Sequence, residues 1–140
     1  MIYFKKLHKD AIIPQRAHFG DAGMDVYSIE NIEIEPKSDV LTGLGLACEF
    51  ESDYALLVHN KSGRATKLKL DKGAEVIDST YRGEIHVHLF NHSDKLVSIP
   101  KGEKIAQLIL MPIWNGEPEE VQSLDTTERG SGGFGSSGLK

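Results

Sequence analysis

Cysteine is nearly absent from this chain: Cys48 stands alone, which excludes an intrachain disulfide and fits a reducing compartment. No apolar run approaches the length needed to cross a membrane, and the first residues lack the long apolar region of a signal peptide. Basic residues do not dominate either. The net charge is −5, whereas a nucleic-acid binder normally carries a basic field, so any polyanion contact has to come from a local cluster. No stretch keeps a 3.6-residue apolar period for long, and no internal repeat is visible. These absences lead us to expect a cytoplasmic protein (in the host cell cytoplasm if viral) with no nucleic-acid partner and no membrane partner.

What is present is ordinary for a globular protein. With 140 residues, 39% hydrophobic and 26% charged, the chain is long enough for one domain with a real core. Short β-branched and apolar segments recur between turn signals, which predicts an all-β fold. Residues 31–35 alternate before Pro36, and residues 54–58 read as a buried strand. Residues 84–89 alternate again, with Ile85, Val87 and Leu89 on one face, and residues 104–111 run apolar up to Pro112. Residues 62–67 have room for one or two helical turns. The pattern predicts a sandwich, jelly roll or small barrel with one short helix. Composition shifts near residue 120, dividing a β domain at 1–120 from a C-terminal arm at 121–140.

That arm ends in a glycine-rich segment too poor in apolar surface to order itself. Two readings stand for it. It is a floppy terminus, or Arg129 forks onto phosphate, Phe134 stacks on a flat ring and the Gly/Ser main chain wraps an anion. Residues 73–84 read as a hairpin, with Asp78-Ser79-Thr80 at the turn and the return strand starting at Gly83. Asp78 is then either a turn-former or a base held beside the Tyr81 ring. Residues 59–67 place hydroxyls and three cations around Gly63, either a solvated basic turn or a phosphate site at the start of a helix. Asp25 is a loop carboxylate or an anchor for the waters of a hydrated Mg²⁺. His86 and His88 share a strand face with no third ligand at a recognisable spacing, so they are read as its polar side. Cys48 sits in an apolar run and is assigned to the core.

The order of these pieces resembles the trimeric dUTP pyrophosphatase (dUTPase) family. Five short motifs carry the likeness: Ala22-Gly23-Met24-Asp25-Val26, Lys61-Ser62-Gly63, residues 73–83, Gly102-Glu103-Lys104-Ile105-Ala106-Gln107-Leu108, and residues 129–138. The resemblance implies an all-β, jelly-roll-like barrel in which a flexible arm closes over a neighbour's site within a homotrimer. The implied reaction is dUTP plus water giving dUMP and pyrophosphate, which keeps uracil out of DNA and supplies dUMP for thymidylate synthesis. It assigns Asp78 as general base and places the base and sugar against Gly73, Val76, Ile77, Tyr81 and Phe134. It assigns the phosphates to Lys61, Ser62, Gly63, Gln107, Arg129, Gly135 and Ser136. Mg²⁺ is implied as a cofactor carried mainly by the triphosphate, with Asp25 holding it through water. Three positions depart from the family pattern. Lys61 stands for the usual Arg, with Arg64 the nearest guanidinium able to compensate; Glu75 replaces a common glycine; and Glu49-Phe50-Glu51 replaces a usual proline. A dCTP deaminase of the same fold and a non-catalytic trimeric nucleotide sensor are the alternatives.

Overall fold

A computed structural model of the chain describes residues 1–133. Phe134, Gly135 and Ser136 lie outside the described residues.

The chain runs β1 (Ile2–Lys6), β2 (Met24–Tyr27), β3 (Ile32–Ile34), β4 (Asp39–Gly43), β5 (Leu46–Phe50) and β6 (Tyr54–His59). It continues through α1 (Ser62–Leu68), β7 (Leu70–Lys72), β8 (Val76–Ile77), β9 (His86–Asn91), β10 (Val97–Ile99) and β11 (Lys104–Pro112). Among the described residues these strands form four small sheets rather than one closed ring of ladders. Their orders are β1-β5, β10-β3, β2-β11-β6-β8 and β4-β9-β7. The alternation seen in the sequence explains the packing. Ile32 and Ile34 of β3 turn inward around exposed Glu33, and Val87 and Leu89 of β9 do the same around half-buried His88. One core results, holding Val26, Leu56, Ile85, Ile105 and Leu108 among others, with Cys48 buried in it. Burial pushes the Cys48 thiol above its ordinary range, so it stays a neutral core side chain.

Strand β11 positions the site. β11 is central, pairing with β2 on one side and β6 on the other, so Gln107 stands opposite both Asp25 and His59. Helix α1 follows β6 directly and ends at Lys69, which adopts the left-handed conformation (φ 53°) that closes such a helix. No helix among the described residues is long and apolar enough to cross a membrane. Residues 113–133 form neither helix nor strand, so the regular structure stops at Pro112, before the boundary expected near 120.

Candidate active site

The expected hairpin over residues 73–84 is not formed as such. β8 pairs with β6 (Leu56 opposite Ile77), whereas β9 pairs with β4 and β7. The reason is that Leu70–Lys72 is the better partner for β9, and Gly73 extends that ladder by donating its N–H to the His88 carbonyl at 2.9 Å. A Cβ at position 73 would run into the rings of His88 and Phe90, which explains the glycine. Gly73 therefore stays on the β7–β9 ladder, and residues 74–85 make an excursion between the two sheets.

That excursion builds a cavity of about 250 Å³ whose lining includes Val58, Ile77, Asp78, Tyr81, Glu84 and His86. Asp78 opens the expected turn, closed by the Tyr81 N–H donating to the Asp78 carbonyl at 3.0 Å. Arg82 braces this turn by donating Nη1 to the carbonyls of Ser79 (2.6 Å) and Tyr81 (3.1 Å), a role that no motif in the chain signals. The Tyr81 hydroxyl donates to the Glu84 carbonyl at 2.9 Å, which fixes the ring against the loop. β8 is the edge strand of its four-stranded sheet, so one row of its main-chain donors and acceptors is not used by the sheet. Ile77 is half-buried at this edge and Val76 is largely exposed.

A second cavity, about 440 Å³, is lined by Lys61, Gly63, Arg64, Lys67 and Lys104 among others. It shares no lining residue with the first. Ser62 is the exposed first residue of α1. Gln107 donates Nε2 to the Asn60 carbonyl at 2.9 Å, and its side-chain oxygen lies so close to Gly23 that any Cβ there would displace it. Arg64 does not stand in for the missing fork at position 61. It ion-pairs with Glu103 and donates Nε to the Lys104 carbonyl at 3.0 Å, tying α1 to the start of β11.

Asp25 is buried although it is charged. β2 turns Met24 and Val26 into the core, so Asp25 faces the other side, where two lysines cover it. Lys61 Nζ lies 2.5 Å from Oδ1, and Lys104 Nζ lies 2.7 Å from Oδ2. Burial raises the Asp25 carboxyl, but hydrogen bonds from Lys104 and Lys61 outweigh it and hold the carboxyl below its usual range. Each oxygen of Asp25 therefore already accepts from one lysine ammonium. Among the described residues no group of three or more His, Cys, Asp or Glu could hold a metal ion. Arg129 donates Nε to the Gly132 carbonyl at 2.8 Å and lines neither cavity.

Comparison with known proteins gives this geometry its context. The family model for dUTPase matches residues 9–138. The chain is 44% identical over 136 residues to the deoxyuridine 5'-triphosphate nucleotidohydrolase of Nautilia profundicola, with 96% of each chain covered. It is 44% identical over 137 residues to that of Clostridioides difficile, again with 96% of each covered. Among solved structures, a mutant of the Staphylococcus bacteriophage 80alpha dUTPase with dUpNHpp superposes with a TM-score of 0.94, at 29% identity and 99% coverage of each chain. With the family model spanning nearly the whole sequence and the strands arranged as in that structure, the chain belongs to the dUTPase family.

Proposed function

We propose that the chain hydrolyses dUTP to dUMP and pyrophosphate, with Asp78 taking a proton from the water that attacks the α-phosphorus. A new bond forms between the water oxygen and that phosphorus, the bond to the bridging α–β oxygen breaks, and pyrophosphate leaves with that oxygen. A positioned base of this kind contributes a factor of about 10²–10⁴. The observation that carries the reading is the turn from Asp78 to Tyr81, which holds a carboxylate and a phenol ring on one wall of a cavity beside a free strand edge.

The free edge of β8 suits uracil, whose ring presents alternating acceptors and a donor. Cytosine would leave one of those main-chain groups unpaired, a loss that buried sites do not tolerate. The Tyr81 ring, tied to the Glu84 carbonyl, lies under the deoxyribose and leaves no room for a 2′-hydroxyl. Lys61, Ser62, Gly63 and Gln107 receive the phosphates, Lys61 and Gly63 from the lining of the second cavity. Magnesium bound with the triphosphate would supply charge neutralisation there, and the residues that receive the phosphates would hold it through the substrate.

Several features support a homotrimer whose sites are shared between subunits. The base cavity and the cationic cavity are separate within one chain. Trp114, Val121 and Leu124 stand exposed on residues 113–133, as expected of an arm that buries them against another copy. Arg129, with Phe134, Gly135 and Ser136 beyond it, then reaches a neighbour's nucleotide. A turnover assay across dUTP, dCTP, dTTP and UTP tests the reading. Pyrophosphate from dUTP alone is expected; ammonia from dCTP, or tight dUTP binding without turnover, would overturn it.

A further inference from the structure

The cationic cavity contains an arrangement that the assigned phosphate contacts do not account for. Four basic side chains line it, and they are not equivalent. Arg64 is neutralised by Glu103, and Lys67 sits exposed at the end of α1. Lys61 and Lys104 instead share one carboxylate, that of Asp25, each ammonium taking a separate oxygen. Asp25 is the fixed member: its side chain is only 7% exposed, against 30% for Lys61 and 42% for Lys104. Its main chain is held on both edges, by Gln107 in β11 and by Gln15, to which it donates its N–H at 2.8 Å.

Two ammoniums and one carboxylate leave a net positive charge at the cavity, so the carboxylate does not cancel the site. An ammonium has three N–H donors, and Asp25 takes one from each lysine, leaving two on each for another acceptor. Lysine side chains are otherwise flexible and costly to order, and a lysine at position 61 lacks the rigid fork that an arginine brings to phosphate. A shared, buried carboxylate restores that order by fixing where both ammonium groups sit.

We propose that Asp25 is a positioning residue that holds Lys61 and Lys104 as a paired ammonium clamp on the polyphosphate, and that Lys104 itself contacts phosphate. The clamp rests on the dUTP reading and gives Asp25 a different task from anchoring magnesium through water. A metal anchor acts only when the metal is present, whereas a clamp holder acts with or without it.

The test is calorimetric binding of dUpNHpp to the full chain in Mg²⁺ and in EDTA, using wild type, Asp25→Asn, Lys104→Gln and Lys104→Arg, each checked by thermal melting. Asp25→Asn and Lys104→Gln are expected to weaken binding by about tenfold or more in both buffers, the scale of one charge-assisted hydrogen bond. Lys104→Arg should restore most of that loss, and deoxyuridine binding should not change in any variant. A loss for Asp25→Asn confined to the Mg²⁺ buffer would overturn the clamp in favour of a metal anchor, and unchanged affinity in both buffers would overturn it outright. Should wild type fail to bind dUpNHpp at all, the dUTP reading fails; inorganic tripolyphosphate with the same variants still reads the clamp alone. Should Asp25→Asn fail to fold, the two Lys104 variants decide the matter.

Discussion

The Tyr81 ring and Gly83 occupy the same space in turn: a Cβ on Gly83 would overlap the phenol, whose hydroxyl is tied to the Glu84 carbonyl. The glycine is therefore required by the position of the ring, not by its own backbone angle, since its φ lies outside the left-handed region. Gly83→Ala should push Tyr81 away from the sugar and relax the exclusion of a 2′-hydroxyl. We expect UTP turnover relative to dUTP to rise about tenfold, the scale on which one lost steric contact changes selectivity. Competitive turnover of the two nucleotides reads this directly, and an unchanged ratio would separate Tyr81 from sugar selection.

Gly23 plays the corresponding part at the phosphate end. Its missing side chain leaves room for the Gln107 amide, which is oriented by its bond to the Asn60 carbonyl. Gly23→Ala should displace that amide and lower kcat/KM by about 10²-fold, as misplacement by about an ångström does in oriented sites. Gln107→Ala should lower it comparably, and the double variant should be little worse than either. Additive losses would mean that Gly23 acts elsewhere.

How much of this was legible in the sequence differs by element. The strands at residues 31–35, 54–58, 84–89 and 104–111 were readable because each alternates or runs apolar between turn residues, and each has its counterpart in β3, β6, β9 and β11. The helix at α1 was readable as the one or two helical turns for which residues 62–67 have room. The pairing of β8 with β6 was not, because nearness in sequence favours a local hairpin while the true partner was chosen by the long-range β7–β9 ladder. Asn91 shows the same limit in the core. It is buried, donates to the carbonyls of Ile34, Glu35 and Lys95, and accepts from Ser93, yet nothing in its sequence neighbourhood marks it as a hub. The engagement of Asp25 by two lysines was invisible for a like reason: the three residues lie far apart in the chain and meet only where β2, the residue preceding α1 and β11 come together.

That cluster has a pH signature. The Asp25 carboxyl is held below its ordinary value, so its stabilising contribution is complete above about pH 4 and is lost as pH falls through the lowered folded value. The Lys104 ammonium is held above its ordinary range by its bond to Asp25, so its contribution is present at neutral pH and is lost only as pH rises past that raised value. Denaturant unfolding of wild type and Asp25→Asn should therefore differ by a constant amount from about pH 5 to pH 9 and converge below about pH 4. A difference that grows on acidification would contradict the pairing.

Truncation separates the arm from the body. Residues 113–131 are exposed throughout and contribute nothing to the core, although Ile113 still donates its N–H to the Asp53 carbonyl at 2.9 Å. Removing residues 128–140 should leave the thermal midpoint and the assembly size unchanged while lowering dUTP turnover by about 10²-fold or more, since closure over the nucleotide is lost. Dissociation of the assembly on truncation would show that these residues hold the subunits together.

The proposed reaction turns on the Asp78 carboxylate, held at the start of its turn, removing the proton from the attacking water. Pyrophosphate release from dUTP by Asp78→Asn, measured beside wild type with dUpNHpp affinity as the control for binding, decides this. A fall in kcat of about 10²–10⁴ is expected, with affinity for the analogue retained. Equal rates for the two proteins would contradict it.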